Sequence, residues 1–267
     1  MKIYWHIAKA TWQEYLSYRL NFLLEVIGGI FTMLIAIAVW FAVFAGDSTR
    51  IVGTYTLGQM VSYLLIAGVI STILFLTAQG DDINNDINRG TVSALLIKPI
   101  NVPFYWFTRD FVRKFFTLIL GVAELAIIIF LFRSYFVLPS SALNLMFFVL
   151  AIILAAIIHF LLFAILSVIA FWFEETWGWR FVMRIVMEVS AGAIIPLSLF
   201  PGFWRTIFEI LPFQYFIYFP MQIYFGKIDT GGIFTGFAFV LAWLLILSFM
   251  FLILWKRGVR RYVGYGG

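Results

Sequence analysis

The sequence of 267 residues is 64% hydrophobic and only 12% charged, with a mean hydropathy of +1.03 and a net charge of +5. An average soluble protein is about half apolar and about a quarter charged, so this chain has too few polar side chains to cover a water-soluble globule. The composition predicts a protein that crosses a membrane several times. The chain has no cysteine, which excludes disulfides, thiolate metal sites and a cysteine nucleophile.

The first element is an amphipathic helix over residues 1–20. Its apolar face consists of Trp5, Ala8, Trp12, Tyr15 and Leu16. This spacing predicts a helix that lies in the head-group layer of a membrane, where it serves either as a lever moved by a partner or as an aromatic anchor. We expect no cleavable signal peptide, because these residues contain neither an apolar core nor a small-residue cleavage site.

Six apolar runs follow, each near the roughly 20 residues that a helix needs to cross a bilayer. They lie at Phe22–Phe44, Thr56–Thr77, Phe115–Phe132, Leu145–Phe173, Val182–Leu199 and Phe234–Trp255. Because the runs are continuous rather than alternating, they predict helices and not strands. The predicted fold is therefore an all-α polytopic membrane protein, with residues 1–267 forming a single transmembrane domain.

Basic residues are distributed unequally between the two sides that six spans create. One side carries 14 of the Lys and Arg residues and the other carries 4. The positive-inside rule then places both termini in the cytoplasm, which requires an even number of spans. Because the basic residues lie at the ends of apolar runs, the positive charge indicates contact with lipid head groups and not with nucleic acid.

A polar segment over residues 79–101 joins the second and third spans. Its start predicts a short helix that Asp81 or Asp82 caps and Gly90 ends. Ile83 and Ile87 lie four residues apart on one face of this helix. Either they project as apolar knobs that a soluble partner receives, or they dip back into the membrane interface.

The segment over residues 200–232 precedes the last span. It contains two aromatic-rich stretches, Gly202–Ile210 and Gln214–Tyr224, which are too short to span and too apolar for a free loop. They predict re-entrant or surface-lying helices that close a pathway on the outer side, or a static plug. Pro196, Pro201 and Pro212 are the candidate residues of this external gate.

Ionisable residues inside apolar runs are candidates for function. They are Glu25, Glu124, His159, Arg184 and Glu188. Glu25 lies close to the cytoplasmic end of the first span, where we expect a structural pair with Arg19 or a neighbour. Arg184 and Glu188 are one helical turn apart, which predicts an intrahelical pair. Glu124 and His159 lie mid-way along the third and fourth runs, where they form a hydrogen-bonded pair, line a pathway or relay protons.

Three segments resemble a known family. They are residues 86–101 (Asp86 to Asn101), residues 190–201 (Ser190 to Pro201) followed by Leu211-Pro212-Phe213, and the opening Tyr18 to Phe22. These segments are similar to those of bacterial ATP-binding-cassette (ABC) transporter permeases of the type 2 exporter class, in a branch of six-span subunits. The resemblance covers nearly the whole chain in order.

The resemblance implies a subunit of the bacterial plasma membrane that forms a translocation pathway as a dimer, with a second copy or a related permease. A separate ABC ATPase, two copies of which are expected, would bind ATP and Mg and dock on a coupling helix. The residues of that helix are Asp82, Ile83, Asp86, Ile87 and Arg89. The chain itself contains no GxxxxGK[ST] phosphate loop and is not expected to be an enzyme.

Three other function classes can be compared with the residues. An intramembrane protease is disfavoured, because Glu174-Glu175 and Arg180 are spaced one residue too far apart for the EExxxR signature and His6 is the only histidine besides His159. A rhomboid-type serine protease lacks its Gly-x-Ser-x-Gly loop. A proton-coupled secondary transporter would use Glu124 and His159, but no internal repeat relates the two halves. A membrane scaffold is the remaining alternative.

Overall fold

The computed structural model describes residues 2–17, 19–47, 49–76, 81–173 and 176–262, with backbone alone at residues 19–26, 76 and 81. The described chain is mostly helical, with one short hairpin of β1 (Ile51–Val52) and β2 (Tyr55–Thr56). The helices are α1 (Lys2–Ser17), α2 (Arg19–Val43), α3 (Leu57–Ser71), α4 (Asp81–Asn88), α5 (Val92–Leu96), α6 (Val102–Leu131), α7 (Ala142–Val168), α8 (Trp177–Ser190), α9 (Gly202–Ile210), α10 (Tyr218–Tyr224) and α11 (Thr230–Arg261).

Four helical segments of the described chain are long and apolar enough to cross a membrane. They are Leu57–Phe75, Val102–Leu131, Ala142–Phe171 and Thr230–Arg261. The described apolar part of α2, Ile27–Val43, is shorter. The chain is therefore a helical protein with several candidate spans, and the arrangement with six spans stays a prediction.

The helices form a bundle with two different ends. The proximal end carries α1, α4, α5 and the last turns of α11, and Ser93 Oγ donates to Tyr262 OH there at 3.3 Å. The distal end carries the hairpin, α9 and α10, and Lys227 Nζ donates there to the carbonyl of Thr54 at 2.7 Å. α7 is central, since it packs against α11, α10, α4 and α8.

Two glycines let α11 lie close to its neighbours. A Cβ at Gly236 would lie 2.1 Å from the ring of Phe219, and a Cβ at Gly258 would lie 2.2 Å from the ring of Phe171. Any larger residue would force these rings away, so the glycines set the separation of α11 from the distal helix α10 and from the end of α7.

The third helix begins earlier than the apolar run suggests, at Val102 rather than at Phe115. Asn101 caps its start by accepting a hydrogen bond from the backbone N–H of Phe104 at 3.0 Å, and Pro103 lies in the first turn. The added turns contain basic residues, and Arg109 is neutralised there by acids of α1 and α4. The helix therefore extends 13 residues before Phe115, and the start of the membrane span within it stays a prediction.

The fifth helix ends earlier than predicted, at Ser190 rather than at Leu199. Gly192 has φ +78° and follows the last turn, while the N–H of Ala193 donates to the carbonyl of Glu188 at 3.2 Å. This is the Schellman arrangement that ends many helices. The 14 residues of α8 extend roughly 21 Å, less than a bilayer core of about 30 Å.

The segment before the last helix contains the two short helical stretches that the sequence predicts. α9 covers Gly202–Ile210, whereas the second stretch divides into a 3₁₀ turn at Pro212–Tyr215 and α10. Pro201 directly precedes α9, and Pro196 directly precedes a 3₁₀ turn at Leu197–Leu199. These prolines start helical elements, and their role as an external gate stays a prediction.

Candidate functional site

Helix α4 lies at the proximal end with its apolar face turned into the protein. Ile83 is 4% exposed and Ile87 is 3% exposed, because α4 packs on α7 and on the 3₁₀ turn Ile169–Phe171 that follows it. Of the two arrangements that the sequence leaves open, projection of both side chains toward a partner does not fit this burial, and the coupling role of α4 stays a prediction. Their spacing placed them correctly on one face, but this chain supplies the surface that covers them.

An ion-pair chain joins α4 to α6 and α1. Arg109 Nε lies 2.9 Å from Asp82 Oδ2, and Arg109 Nη2 lies 3.1 Å from Glu14 Oε2. Arg113 also pairs with Asp82. Asp82 was predicted to contact an ATPase, but its carboxylate is occupied by two arginines of α6 and fastens α4 to the bundle.

Asp86 provides the second connection between α4 and α6. Its Oδ2 accepts a hydrogen bond from Trp106 Nε1 at 2.8 Å, and its Oδ1 accepts one from Thr91 Oγ1 at 2.7 Å. The second bond spans the turn at Gly90, whose φ of +78° agrees with the predicted helix end. Asp86 is therefore also an internal anchor.

Helix α8 is tied to α4 at its first residues. Thr176 Oγ1 donates to Asn84 Oδ1 at 2.7 Å, directly before α8 begins. α4 thus has polar bonds to α6 and to the start of α8, and Arg109 of α6 extends the connection to α1. We call this set the α4 junction, and its members are Glu14, Asp82, Asn84, Asp86, Trp106, Arg109, Arg113 and Thr176.

The outward surface of α4 and α5 is left open. Asn85 and Arg89 are exposed, and Arg89 forms no ion pair with another residue in the described part of the chain. After α5, Ile97 is 86% exposed and is followed by the exposed Lys98. We call Asn85, Arg89, Ile97 and Lys98 the outer face. Of the predicted coupling residues, only Arg89 belongs to it.

Part of the aromatic face of helix α1 packs against α6. The ring centroids of Trp12 and Phe116 are 5.2 Å apart, and the guanidinium carbon of Arg113 lies 5.4 Å from the ring centroid of Tyr15. Burial raises the pKa of the Tyr15 hydroxyl to about 12. Trp5 is 72% exposed, so it is available to lipid rather than to the protein.

Glu124 and His159 are buried but do not bond to each other. Neither side chain has a hydrogen-bond partner among the described residues. The ring of His159 lies among aromatic rings, with its centroid 4.7 Å from that of Phe163. The structure therefore does not form the hydrogen-bonded pair that the sequence allows, and the pathway and relay roles stay predictions.

The structure describes the side-chain pairing of some of the other ionisable candidates but not of all of them. Arg184 Nε donates to Glu188 Oε1 at 3.2 Å, which is the intrahelical pair that the spacing predicts. The side chain of Glu25 lies outside the described residues, and so does its possible pairing with Arg19. Within the described chain, no group of three or more His, Asp or Glu residues could hold a metal ion.

A second candidate site, the distal cavity, was not predicted from the sequence. It has a volume of about 620 Å³ between the hairpin, α9, α10 and α11. Lys227 Nζ lies in its wall, 3.1 Å from the ring centroid of Tyr55, and burial lowers the pKa of this ammonium to about 8. The available signal was that Lys227 is one of the 4 basic residues on the poorly charged side.

The family model described as ABC-2 family transporter protein matches residues 21–266. The chain belongs to the ABC-2 transporter family. No individual curated protein matches it. Membership identifies a multi-pass membrane protein of permease type and indicates a transport subunit rather than an enzyme. The matched range begins at residue 21, after α1 ends at Ser17.

Proposed function

We propose that this ABC-2 family protein is the membrane-spanning permease subunit of an ATP-driven exporter. A separate ATPase subunit docks on the outer face, which comprises Asn85, Arg89, Ile97 and Lys98. The observation that carries the proposal is that the α4 junction ties α4 to α1, α6 and α8 while the outer face stays open. A partner that moves α4 would therefore move three other helices.

The bonds of the junction suit the transmission of force. Arg109 holds Asp82 through Nε and Glu14 through Nη2, so one planar guanidinium links α4, α6 and α1. Hydrogen bonds between charged groups are shorter and stronger than neutral ones. Ile83 and Ile87 add an apolar contact with α7, because both are buried in the core. α4 is therefore positioned to move as part of the bundle and not as an independent loop.

The outer face has the composition of a small docking surface. Ile97 provides an apolar anchor, and burying such a side chain is worth about 1.5–3 kcal/mol. Asn85, Arg89 and Lys98 supply exposed polar and basic groups, and interfaces usually combine an apolar centre with a polar rim. The docking element that we propose is thus the end of α5 together with the open side of α4.

The remaining parts of the proposal come from the family and the sequence. ATP and Mg are bound by the ATPase, of which two copies are expected, because this sequence has no phosphate-binding loop. A second copy or a related permease completes the pathway. The protein lies in the bacterial plasma membrane with both termini in the cytoplasm, which the ratio of 14 to 4 basic residues supports. The proximal end then faces the cytoplasm.

The test is an exchange of Ile97 for Asp in the complex of permease and ATPase. An unpaired charge buried at the contact is costly, so we expect I97D to co-purify with much less ATPase while the permease itself stays inserted and folded. Ile51→Asp is the matched control, because Ile51 is 64% exposed but lies in the hairpin at the distal end. It should leave co-purification unchanged.

Co-purification of the ATPase at the parental level with I97D would contradict docking at the outer face. A protein that retains uphill transport without any ATPase would instead be a proton-coupled carrier. One that has neither an ATPase partner nor transport would be a membrane scaffold. Reconstitution of the purified chain with and without the ATPase therefore separates the three functions.

A further inference from the structure

Among the residues that the structure describes, the distal cavity contains a cation without a counter-charge. The Lys227 ammonium has three hydrogens, and its hydrogen-bond acceptors are the carbonyl of Thr54 at 2.7 Å and Thr54 Oγ1 at 3.4 Å. The face of the Tyr55 ring lies beneath it at 3.1 Å. No carboxylate in the described part of the chain forms an ion pair with it. A half-buried ammonium held in this way has donor capacity left for a ligand.

The other charged groups near the cavity neutralise each other or are engaged elsewhere. Arg205 Nε lies 2.7 Å from Glu209 Oε1, and both residues line the cavity. Asp229 precedes α11 and accepts a hydrogen bond from the backbone N–H of Gly232 at 3.1 Å, as a helix cap. The described lining therefore carries one net positive charge, on Lys227.

The rest of the lining is aromatic and suits an apolar group. Tyr215, Tyr218 and Phe219 come from the segment around α10, and Phe239 comes from α11. Phe239 is 57% exposed, so the cavity continues onto the apolar side of α11. A volume of about 620 Å³ is within the range of small-molecule sites, which is about 300–1,000 Å³.

We propose that the distal cavity binds an amphiphilic molecule by its anionic head group, with Lys227 as the counter-charge and the aromatic lining around the apolar part. This proposal names the chemical class of molecule that the permease handles. The interpretation of that molecule as cargo rests on the proposed function. The pairing also has a physical benefit for the protein. Burial alone disfavours the charged form of Lys227, and a bound anion would offset that cost.

The experiment measures saturable binding to the purified full-length chain in phosphatidylcholine nanodiscs, with empty nanodiscs subtracted. The probe is radiolabelled dodecyl phosphate. Dodecyltrimethylammonium has the same tail with the opposite charge, and inorganic phosphate has the charge without the tail. We expect dodecyl phosphate to bind saturably, the cationic amphiphile to compete at least about tenfold more weakly, and inorganic phosphate to compete more weakly still.

Three variants locate the site, and a fourth, Lys9→Gln, is the control. Lys227→Gln should weaken binding of dodecyl phosphate by about tenfold, as loss of a charge-assisted hydrogen bond predicts. Lys227→Arg keeps the charge and should keep the preference for the anionic probe. Thr235→Phe fills the cavity from the exposed side of α11 and should weaken binding of both amphiphiles. Lys9→Gln removes an exposed lysine at the proximal end and should have no effect.

The proposal is overturned if the two amphiphiles bind equally, if K227Q or T235F binds dodecyl phosphate like the parent protein, or if inorganic phosphate competes as well as dodecyl phosphate. A folded K227R that lost the charge preference would also overturn it. These assays use the permease without ATPase and without nucleotide. Failure of binding would therefore leave the ATPase docking result standing, and failure of docking would leave the binding result standing.

Discussion

Asp82 and Arg109 form an ion pair with Oδ2 and Nε 2.9 Å apart, and this pair fastens the polar helix α4 to the long helix α6. The same guanidinium reaches Glu14 on α1 at 3.1 Å. One side chain therefore connects the helix proposed to receive an ATPase with the helix at the start of the chain. This connection explains how a motion at the outer face could reach α1 without a direct contact.

The first prediction is that Arg109→Lys loosens α1. An ammonium cannot reproduce the fixed directions of Nε and Nη2, so either Asp82 or Glu14 loses its bond to residue 109, at a cost of about 1–2 kcal/mol for these partly buried groups. We expect faster hydrogen exchange in residues 2–17 and a lower apparent Tm. Arg184→Lys is the matched control, because its pair with Glu188 is more exposed and worth about 0.5 kcal/mol or less. Unchanged exchange in α1 with R109K would show that Arg109 does not hold it.

The second prediction separates the buried isoleucines from the exposed one. Ile87→Ala removes core contacts and should cost about 2–5 kcal/mol, whereas Ile97→Ala should change stability by about 0.5 kcal/mol or less. Thermal unfolding of the two purified variants measures the difference. A Tm for I87A equal to that of I97A would mean that α4 does not pack on α7 as the structure shows.

The third prediction concerns sidedness. A reporter inserted near Asn85 or fused after Gly267 should be cytoplasmic, and one inserted near Asp47, Pro139 or Asp229 should be external. Asn85 lies at the proximal end of the bundle, and Asp47, Pro139 and Asp229 lie at the distal end, which makes the expectation a joint test of the charge rule and of the fold. A cytoplasmic reporter near Asp229 would place the distal cavity on the ATPase side and would contradict the proposed orientation.

The fourth prediction compares two glycines of the α8 region, one just after the helix and one in its first turn. Gly192→Ala should destabilise the protein by about 1–2 kcal/mol, because φ is +78° and the added Cβ would lie 3.0 Å from the hydroxyl of Tyr63. Gly178→Ala is the control, since no atom lies within 4 Å of its added Cβ. It should be neutral or stabilising by about 0.4–1 kcal/mol. A Tm for G192A as high as that of G178A would contradict the helix end at Ser190.

Much of the helical order could be predicted, because long apolar runs have few alternatives in a membrane. The helix at α4 and its end at Gly90 also followed from local rules of capping. The end of α8 could have been predicted in the same way, since a glycine at position 192 is a common helix stop. The run through Leu199 contains enough apolar residues to span a membrane, so hydropathy favours the longer helix. Hydropathy contains no information about a backbone conformation with positive φ.

Two features depended on contacts between distant segments. The apolar runs do not indicate the start of α6, because Arg109, Arg113 and Lys114 interrupt the apolar pattern. In the structure the first two pair with Asp82 and Lys114 pairs with Asp110. The distal cavity was missed because its lining comes from the hairpin, α9, α10 and α11. A single sequence contains no signal for such tertiary groupings beyond the types of residue involved.

The last prediction is that the affinity of the distal cavity for dodecyl phosphate falls as the pH rises above about 8. Burial lowers the pKa of the free Lys227 ammonium to about 8, so the unliganded protein loses this charge above that pH. The bound anion favours the charged form, and binding above pH 8 must therefore take up a proton. By linkage, affinity should decline by up to about tenfold between pH 7 and pH 9.

Other groups at the cavity should not produce this profile. Arg205 and Glu209 are paired with each other, burial raises the pKa of Tyr55 to about 12, and burial also raises the pKa of Tyr218. Dodecyl phosphate itself has lost its second proton by pH 7, because phosphate monoesters have a second pKa near 6. The measurement is the binding isotherm at three pH values for the parent protein and for K227R. The arginine variant should give a flat profile over this range, because its guanidinium stays charged. A decline of the same size in K227R would assign the pH dependence to a group other than Lys227.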